Sequence, residues 1–369
     1  MFRKIKSQES VLTLLSEAIK KDKIAQSYLF YGPDGVGKFT TALYFGMALN
    51  CTSDDKEKPC ANCNSCKKFL SFSHPDFTYI FPSSKLNISV NGEIKSEKAL
   101  KEYNEYIENK KKTPWRKYFF SQNAEIRVGS IRMLEHKINL SPNEAKFKIY
   151  IVEDADQMNE ESANAFLKTL EEPPVDSVII LTTSKPNSLL PTIISRCQQI
   201  RFMSIPRDVI EQKLKEEKDM PKIERKMYAR ISNGNLEKAL RLAEEGSITS
   251  REKTLQFLEI FLKNDDMKFI EFAENFRATN TKSLLYEMIN QLIIWFGDLS
   301  FYKNSTEQIV NLDKTDLLEQ YFMLNSDVNF YVPAIIEFLE DMQRRIKGNI
   351  NRILIFYQIY FKMKDIFQK

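Results

Sequence analysis

The chain has 369 residues, of which 43% are hydrophobic, and its formal net charge is only +4. This length predicts two or three domains, and the small net charge excludes a strongly cationic surface, so that any contact with nucleic acid has to be local or shared with partner proteins. The sequence begins without an apolar signal-peptide segment and has no apolar run of about 18 residues. We therefore expect a cytoplasmic protein rather than a secreted or membrane-spanning one.

Strand and helix patterns alternate over the first part of the chain. An amphipathic helix is predicted around Val11–Ile19, and further helices over Phe39–Leu49 and Asn159–Leu170. Strand patterns, mostly apolar, occupy Ser27–Tyr31, Phe77–Phe81, Lys148–Val152 and Val178–Thr182, and Gln198–Phe202 is a candidate fifth strand. This alternation predicts a mostly parallel, doubly wound α/β sheet, whereas only helical patterns follow after about Ile205.

A phosphate-binding loop is predicted where the first strand ends. Gly32-Pro-Asp-Gly-Val-Gly-Lys-Phe-Thr40 matches the pattern G-x-x-x-x-G-K between a predicted strand and a predicted helix. The backbone N–H groups of such a loop close around phosphate oxygens, and Lys38 would neutralise the outer phosphates. The alternative is a glycine-rich turn with an incidental lysine. The candidate nucleotide-binding residues are Gly32, Gly35, Val36, Gly37, Lys38, Phe39 and Thr40.

One position of this loop departs from the pattern. The residue after the lysine normally supplies a hydroxyl that binds Mg²⁺, and here that residue is Phe39. Thr40 follows, but one helical step rotates its side chain by about 100°, away from the metal position. The sequence therefore predicts that phosphate binding survives and that metal-dependent hydrolysis of ATP is impaired.

The third strand ends in acidic residues, as a Walker B strand does. Such a strand delivers carboxylates to the sheet edge beside the phosphate loop, where a metal ion and water would lie. The usual order is Asp then Glu, but here Glu153 precedes Asp154. We interpret these two residues as a degenerate Walker B pair, with the capping of the next helix as the alternative.

Four cysteines lie close together in the sequence. Cys51, Cys60, Cys63 and Cys66 have the spacing C-x8-C-x2-C-x2-C, which predicts a closed, structural zinc site. Free thiols or redox chemistry are the alternative. Cys197 is left over, and the five cysteines argue against a pure disulfide framework.

Several motifs occur together in one order: the phosphate loop, the four cysteines, His74-Pro75-Asp76, Ala163–Pro174 and Ile194-Ser-Arg-Cys197. In this combination the chain resembles the bacterial clamp-loader AAA+ family, which includes the gamma/tau motor and its relative delta-prime. The resemblance implies an α/β P-loop (AAA+) domain over 1–204 with a zinc-binding insertion at about 51–66, a small helical lid over 205–246, and an all-α collar or oligomerisation domain over 247–369.

The resemblance also implies roles for single residues. In this family the arginine of Ser-Arg-Cys reaches across a subunit interface to a neighbour's ATP, and Arg196 matches that position. An arginine finger in trans stabilises charge on the transferring phosphoryl group, while an ordinary salt-bridged arginine is the alternative. Thr182-Thr183 matches the polar position called sensor 1. Glu237 falls where the family has its lid arginine, called sensor 2.

Phe39, Glu237 and the His-Pro-Asp motif favour the delta-prime branch, and within that motif we expect a turn role for His74. The resemblance then implies a subunit of the DNA polymerase III clamp loader, and so a component of a nucleotidyltransferase assembly. With delta and gamma/tau partners it would help ATP-driven loading of the sliding clamp onto primed DNA, while hydrolysing ATP poorly itself. A gamma/tau-type motor ATPase of the same loader is the alternative.

Residues 83–125 look like a charged insertion without periodicity. They contain Lys110-Lys-Lys112 and Trp115–Phe120, a basic and aromatic mixture of the kind that contacts DNA or a partner. A charged surface excursion packed by Trp115 is the preferred interpretation. A nucleic-acid module that acts alone through this insertion is therefore the second alternative function.

Overall fold

The computed structural model describes residues 5, 7–54, 58–83, 86, 88–118, 124–217, 220–245, 248–279, 282–303, 308–346 and 352–367. The chain divides into two compact units. The first contains Met1–Ile210 and Asn233–Lys238, and the second contains Glu211–Ser232 and Ala239–Lys369. Among the described residues, no helix is both long and apolar enough to cross a membrane.

The first unit is built on a parallel sheet of five strands within the described ranges: β1 (Ser27–Tyr31), β2 (Phe77–Ile80), β3 (Lys148–Val152), β4 (Ser177–Thr183) and β5 (Gln198–Arg201). Their order across the sheet is β2-β3-β4-β1-β5, so the strand before the phosphate loop lies between β4 and β5. All five strands were predicted, with bounds correct to one residue. The carboxyl ends of parallel strands meet at one edge, which gathers the predicted site residues there.

Helices connect these strands, as the sequence predicts. They are α1 (Glu9–Lys20), α2 (Lys38–Leu49), α3 (Asn64–Leu70), α4 (Glu97–Lys112), α5 (Val128–Ile138), α6 (Glu160–Glu171) and α7 (Pro191–Ser195). Helix α6 ends at Glu171, shortly before Pro173 and Pro174, which confirms that these prolines end it. At its start, the side chain of Asn159 accepts a hydrogen bond from the backbone N–H of Ser162 at 2.9 Å.

The insertion corrects one sequence interpretation. Residues 83–125 were expected to lack periodicity, yet they contain the 16-residue helix α4. Ser96 caps its start by accepting from the backbone N–H of Ala99, Glu97 lies in its first turn, and three lysines lie in its last turn. This charge distribution complements the helix dipole and stabilises a helix that has only a narrow apolar stripe.

The second unit is helical in its described part. Its helices are α9 (Lys222–Ile231), α11 (Ile248–Leu262), α12 (Asp266–Thr279), α13 (Lys282–Phe301), α14 (Thr315–Leu324), α15 (Val328–Ile346) and α16 (Arg352–Phe367), while α8 (Arg207–Glu217) and α10 (Leu236–Glu245) each cross from one unit to the other. A continuous core that includes Trp295, Phe257 and Tyr321 joins helices α11 to α16. The predicted change from an α/β to an all-helical architecture is confirmed.

Candidate nucleotide site and cysteine cluster

The phosphate loop lies between the end of β1 and the start of α2. Gly35 has a φ of +67°, and a Cβ at this position would lie 1.7 Å from Asn235 Oδ1, so only glycine fits here. The backbone N–H of Glu237 donates to Gly35 O at 3.3 Å. The predicted sensor 2 position therefore contacts the loop through its backbone and brings no positive side chain.

Lys38 is folded onto its own loop. Its ammonium donates to Gly32 O at 2.7 Å and to Pro33 O at 2.5 Å, and the residue is 7% exposed. Burial lowers the pKa of Lys38, against the attraction of Asp34 and Asp154. The lysine of the motif is thus hydrogen-bonded to the phosphate loop and lies close enough to the acidic end of β3 to be attracted by its carboxylates.

Phe39 is a core residue rather than a ligand. Its ring centroid lies 4.9 Å from that of Tyr79 and 6.3 Å from that of Phe72, onto which it stacks. The residue is 6% exposed. Val36 is also buried, and Thr40 is half-buried in the first turn of α2. The position that normally carries the magnesium-binding hydroxyl is therefore filled by an aromatic ring.

Glu153 and Asp154 lie at the end of β3, on the same edge of the sheet as the loop. The backbone N–H of Glu153 donates to Ile80 O at 2.8 Å, and that of Asp154 donates to Thr182 Oγ1 at 3.2 Å. Thr183 instead donates to Asp156 Oδ1 at 2.6 Å. The predicted sensor 1 residues, Thr182 and Thr183, thus hydrogen-bond to the backbone of Asp154 and to the side chain of Asp156.

Two lysines of the insertion reach these carboxylates, and we call Lys110 and Lys117 the lysine pair. Lys110 Nζ lies 3.1 Å from Glu153 Oε1 and 4.1 Å from the centroid of the Phe39 ring. Lys117 Nζ lies 2.8 Å from Asp154 Oδ2 and 3.6 Å from Asp34 Oδ1.

The lysine pair corrects the interpretation of the insertion as a charged surface excursion. Lys110 is only 1% exposed, because the end of α4 packs against the edge of the sheet where β3 ends. Burial disfavours the ammonium form of Lys117, but the attraction of Asp154 and Asp34 outweighs it and raises the pKa of Lys117. The sequence analysis noted the basic run and missed this role, since no local pattern links a lysine to a carboxylate on a distant strand.

Tyrosines complete the surroundings of Glu153. Tyr79 donates a short hydrogen bond to Glu153 Oε2, and its hydroxyl lies 3.2 Å from that of Tyr106 of α4. Burial and then the Glu153 charge raise the pKa of Tyr79 well above its ordinary value, so the hydroxyl stays protonated and donates.

The P-loop fold normally works with Mg²⁺, but these residues do not fit that ion, since the hydroxyl ligand is missing and both carboxylates are engaged.

The four cysteines come together as predicted. The Sγ atoms of Cys51, Cys60, Cys63 and Cys66 all lie within 4.8 Å of one another. Cys63 caps α3, where its Sγ accepts from the backbone N–H of Cys66 at 3.4 Å. Tetrahedral thiolates at a Zn–S distance of about 2.3 Å would have similar mutual spacing, so the donor set fits Zn²⁺.

His74 and Asp76 have structural roles near this cluster. His74 Nδ1 accepts from the backbone N–H of Asp76 at 3.1 Å, which confirms the expected turn. Its ring packs on Phe69 of α3 at 4.4 Å between centroids. Asp76 accepts hydrogen bonds from the backbone of residues 143–145 and so fixes the loop before β3.

Arg196 lies at the C-terminal end of α7 and stays partly exposed. Its guanidinium donates to Thr192 O at 2.9 Å and to Glu171 Oε1 at 2.6 Å. The ion pair therefore joins the Ser-Arg-Cys motif to the Glu-Glu-Pro-Pro motif. The next residue, Cys197, is buried in the core of this unit, which raises the pKa of its thiol to about 12.

Comparison with known proteins agrees with the resemblance seen in the sequence. The chain is 27% identical over 347 residues to the DNA polymerase III subunit delta' of Bacillus subtilis, which covers 93% of this chain and 92% of that protein. It is 24% identical over 389 residues to the tau subunit of the same organism, covering 97% of this chain and 60% of tau. The structure of a gamma subunit-related protein from Thermotoga maritima superposes on this chain with a TM-score of 0.49 and 20% identity. The matched region covers 97% of this chain and 99% of that one.

A family model described as DNA polymerase III, delta subunit, matches residues 7–206. That range contains the phosphate loop, the cysteine cluster, the acidic strand end and Arg196, and it includes all five strands of the sheet. The chain therefore belongs to the DNA polymerase III delta subunit family.

Proposed function

We propose that this chain is a delta-prime-type subunit of a bacterial clamp loader, acting with delta and gamma/tau subunits. In that assembly it would help ATP-driven loading of the sliding clamp onto primed DNA, as part of the DNA polymerase holoenzyme in the cytoplasm. The similarity to a delta' subunit over 92% of that relative's length supports this proposal.

One structural observation carries the delta-prime assignment. The chain keeps the P-loop sheet, but Phe39 fills the position of the metal-binding hydroxyl and the lysine pair engages both Walker B carboxylates. Phosphoryl transfer depends on positioning and on neutralising charge with a metal ion, and both are compromised here. This subunit would therefore serve as a stator that hydrolyses little or no ATP itself.

In this proposal Arg196 acts on the nucleotide of a neighbouring subunit. Its side chain is 32% exposed, and its partner Glu171 is 52% exposed. An ion pair this open contributes at most about 1 kcal/mol, so the guanidinium can exchange Glu171 for a phosphate at small cost. The collar over 247–369 would provide the contacts that hold the ring together, and the lid would span 205–246.

Zinc is proposed as a structural component held by the four cysteines. With four protein thiolates no coordination position stays open, so the ion would stabilise the segment between α2 and β2 and take no part in chemistry. ATP is a further candidate ligand of the loop.

A gamma/tau-type motor is the competing function, favoured by the intact Lys38 and the similarity to tau. The test is coexpression with delta and gamma/tau subunits, followed by purification through a tag on this chain. We expect a stoichiometric complex that loads clamps, and negligible ATP turnover by the isolated chain. A chain that hydrolyses ATP alone at about 1 to 100 per second would support the motor instead. Failure to form any complex would contradict both functions.

A further inference from the structure

We infer that the lysine pair takes the place of the divalent cation at this nucleotide site, so that the site recruits no Mg²⁺ and its Walker B carboxylates anchor the insertion. This inference deepens the proposed function, since it rests on reading the sheet edge as a nucleotide site.

The positions of the two ammonium groups support this substitution. Lys110 Nζ and Lys117 Nζ lie 3.1 and 2.8 Å from oxygens of Glu153 and Asp154, the two residues at the Walker B position. Lys117 also lies 3.6 Å from Asp34 of the phosphate loop, so it bridges the loop and the strand end. A metal ion in a P-loop site occupies this same space between loop and strand.

Charge balance stabilises the two ammonium groups in the position of the cation. Burying a lysine or a carboxylate alone is costly, but a paired and hydrogen-bonded arrangement offsets much of that cost. Lys110 is 1% exposed and donates to Glu153 and, at 3.1 Å, to Arg116 O. The ammonium groups of Lys110, Lys117 and Lys38 match the carboxylates of Glu153, Asp154 and Asp34, so no excess negative charge is left to attract a cation.

Coordination geometry also opposes a metal ion. Mg²⁺ requires nearly octahedral oxygen ligands at about 2.0 to 2.1 Å, usually including waters. The ring of Phe39 fills the hydroxyl position, and it faces Lys110 in a cation–π contact, 4.1 Å from its centroid. A divalent ion would have to displace both ammonium groups and would still lack this ligand.

The same contacts hold the insertion on the sheet. Besides Lys110, α4 contributes Tyr106, whose ring stacks 4.0 Å from that of Phe81 and whose hydroxyl meets that of Tyr79. Glu153 thus receives hydrogen bonds from Tyr79 and from Lys110 of the insertion. The carboxylates that a motor uses for metal binding have become the attachment point of α4 and residues 113–118.

The test is Mn²⁺ binding to the full isolated chain, followed by electron paramagnetic resonance with and without ATP. The variants are Asp154→Asn, Lys117→Met and Lys110→Met/Lys117→Met. Lys111→Met is the matched control, because Lys111 lies on the same helix but pairs with Glu108 at the surface. We expect no Asp154-dependent Mn²⁺ binding by the wild type or by the control. Removing Lys117 should strengthen Mn²⁺ binding at least tenfold, and Asp154→Asn added to that variant should abolish the gain.

Two results would overturn the inference. Wild-type protein that binds Mn²⁺ and loses it with Asp154→Asn would show that the metal position is open. Folded lysine variants that bind no more Mn²⁺ than the wild type would show that the lysines do not hold that position. If the double variant fails to fold, Mn²⁺ binding by the wild type and by Lys117→Met still tests the inference, because Lys117 is less buried than Lys110. The measurement uses no partner subunit, so its failure is distinct from a failure to assemble a clamp loader.

Discussion

Asp76 accepts hydrogen bonds from three successive backbone N–H groups, those of Asn143, Glu144 and Ala145, at 2.7, 2.9 and 3.0 Å. Although burial favours the neutral acid, these donors outweigh it and lower the pKa of Asp76. The residue that helps to mark the delta-prime branch in the sequence thus ties the turn before β2 to the loop before β3.

We predict that Asp76→Asn lowers the free energy of unfolding at pH 7 by about 1 to 3 kcal/mol, because the amide cannot accept all of these bonds. Since the folded pKa lies below the unfolded value, the stabilisation is complete above the ordinary aspartate pKa and is lost as the pH falls through the folded pKa. The difference from wild type should therefore shrink in acid, as urea unfolding from pH 7 downward would measure.

Asp22→Asn is the control for this comparison, because Asp22 forms an exposed ion pair with Lys146. Its removal should change stability by less than about 0.5 kcal/mol at any of these pH values. Equal losses from the two substitutions would mean that the backbone bonds to Asp76 add nothing beyond a surface charge.

At the scale of elements, the segment between α2 and β2 has little core of its own. Helix α3 has seven residues, and its described neighbours on the N-terminal side lack regular structure. A short helix is only marginally stable by itself, so the packing of Phe69 against His74 and Phe77 and the cysteine cluster have to hold this segment together.

We predict about one zinc per chain, and its loss after Cys60→Ser or treatment with a strong chelator. Hydrogen exchange should then accelerate in α3 and adjacent residues, while the sheet remains protected. Cys197→Ser is the control, since that thiol is buried in a different part of the unit and should leave the zinc content unchanged. Full-length protein that contains no zinc, with all four thiols reactive when folded, would contradict the metal site.

At the scale of the whole molecule, the proposed role of Arg196 is to act on a neighbouring subunit of an assembly. Within the chain its pair with Glu171 is exposed, so Arg196→Ala should change the stability of the isolated protein by less than about 1 kcal/mol. In the reconstituted loader the same change should depress ATP turnover at one neighbouring site. The loss of an arginine finger lowers the rate of hydrolysis by about 10³- to 10⁵-fold in GTPases. The total effect should be smaller here, because the other sites keep their own arginines.

Lysine at position 196 should rescue poorly, because it lacks the planar fork that holds two phosphate oxygens. The measurement is clamp- and DNA-stimulated ATPase of loaders that carry Arg, Lys or Ala at this position. Arg132→Ala is a control on the same unit, since Arg132 also forms an ion pair with a glutamate, Glu161, although that pair is more exposed, at 58% and 64% for the two side chains. Equal rates in all loaders would leave Arg196 with a structural role only.

Local patterns were enough to predict the sheet and the motifs that it carries. Apolar runs located β1 to β4, because a strand buried on both faces has to be largely apolar. The edge strand β5, in which only Ile200 is buried, was predicted without such a run. Spacing alone predicted the cysteine cluster, and the glycines and Lys38 predicted the phosphate loop, since their chemistry depends on residues that are close in sequence. Phe39 likewise indicated a defective metal site, because its place directly after Lys38 identifies it as the residue that should carry the hydroxyl.

The tertiary structure decided which side chains face the two carboxylates at the end of β3. Lys110 lies 43 residues before Glu153, and the sequence between them gives no sign that α4 returns to the edge of the sheet. A basic run on a polar helix is ordinarily solvated. Lys110 can be buried only because folding brings the Glu153 carboxylate within 3.1 Å of its ammonium group. Composition and periodicity describe a residue's own neighbourhood in the chain, whereas an ion pair depends on the distance between two side chains in space. The sequence by itself therefore determined the fold and the departure of the phosphate loop from its pattern, and only the folded chain brought Lys110 and Lys117 of the insertion to the acidic end of β3.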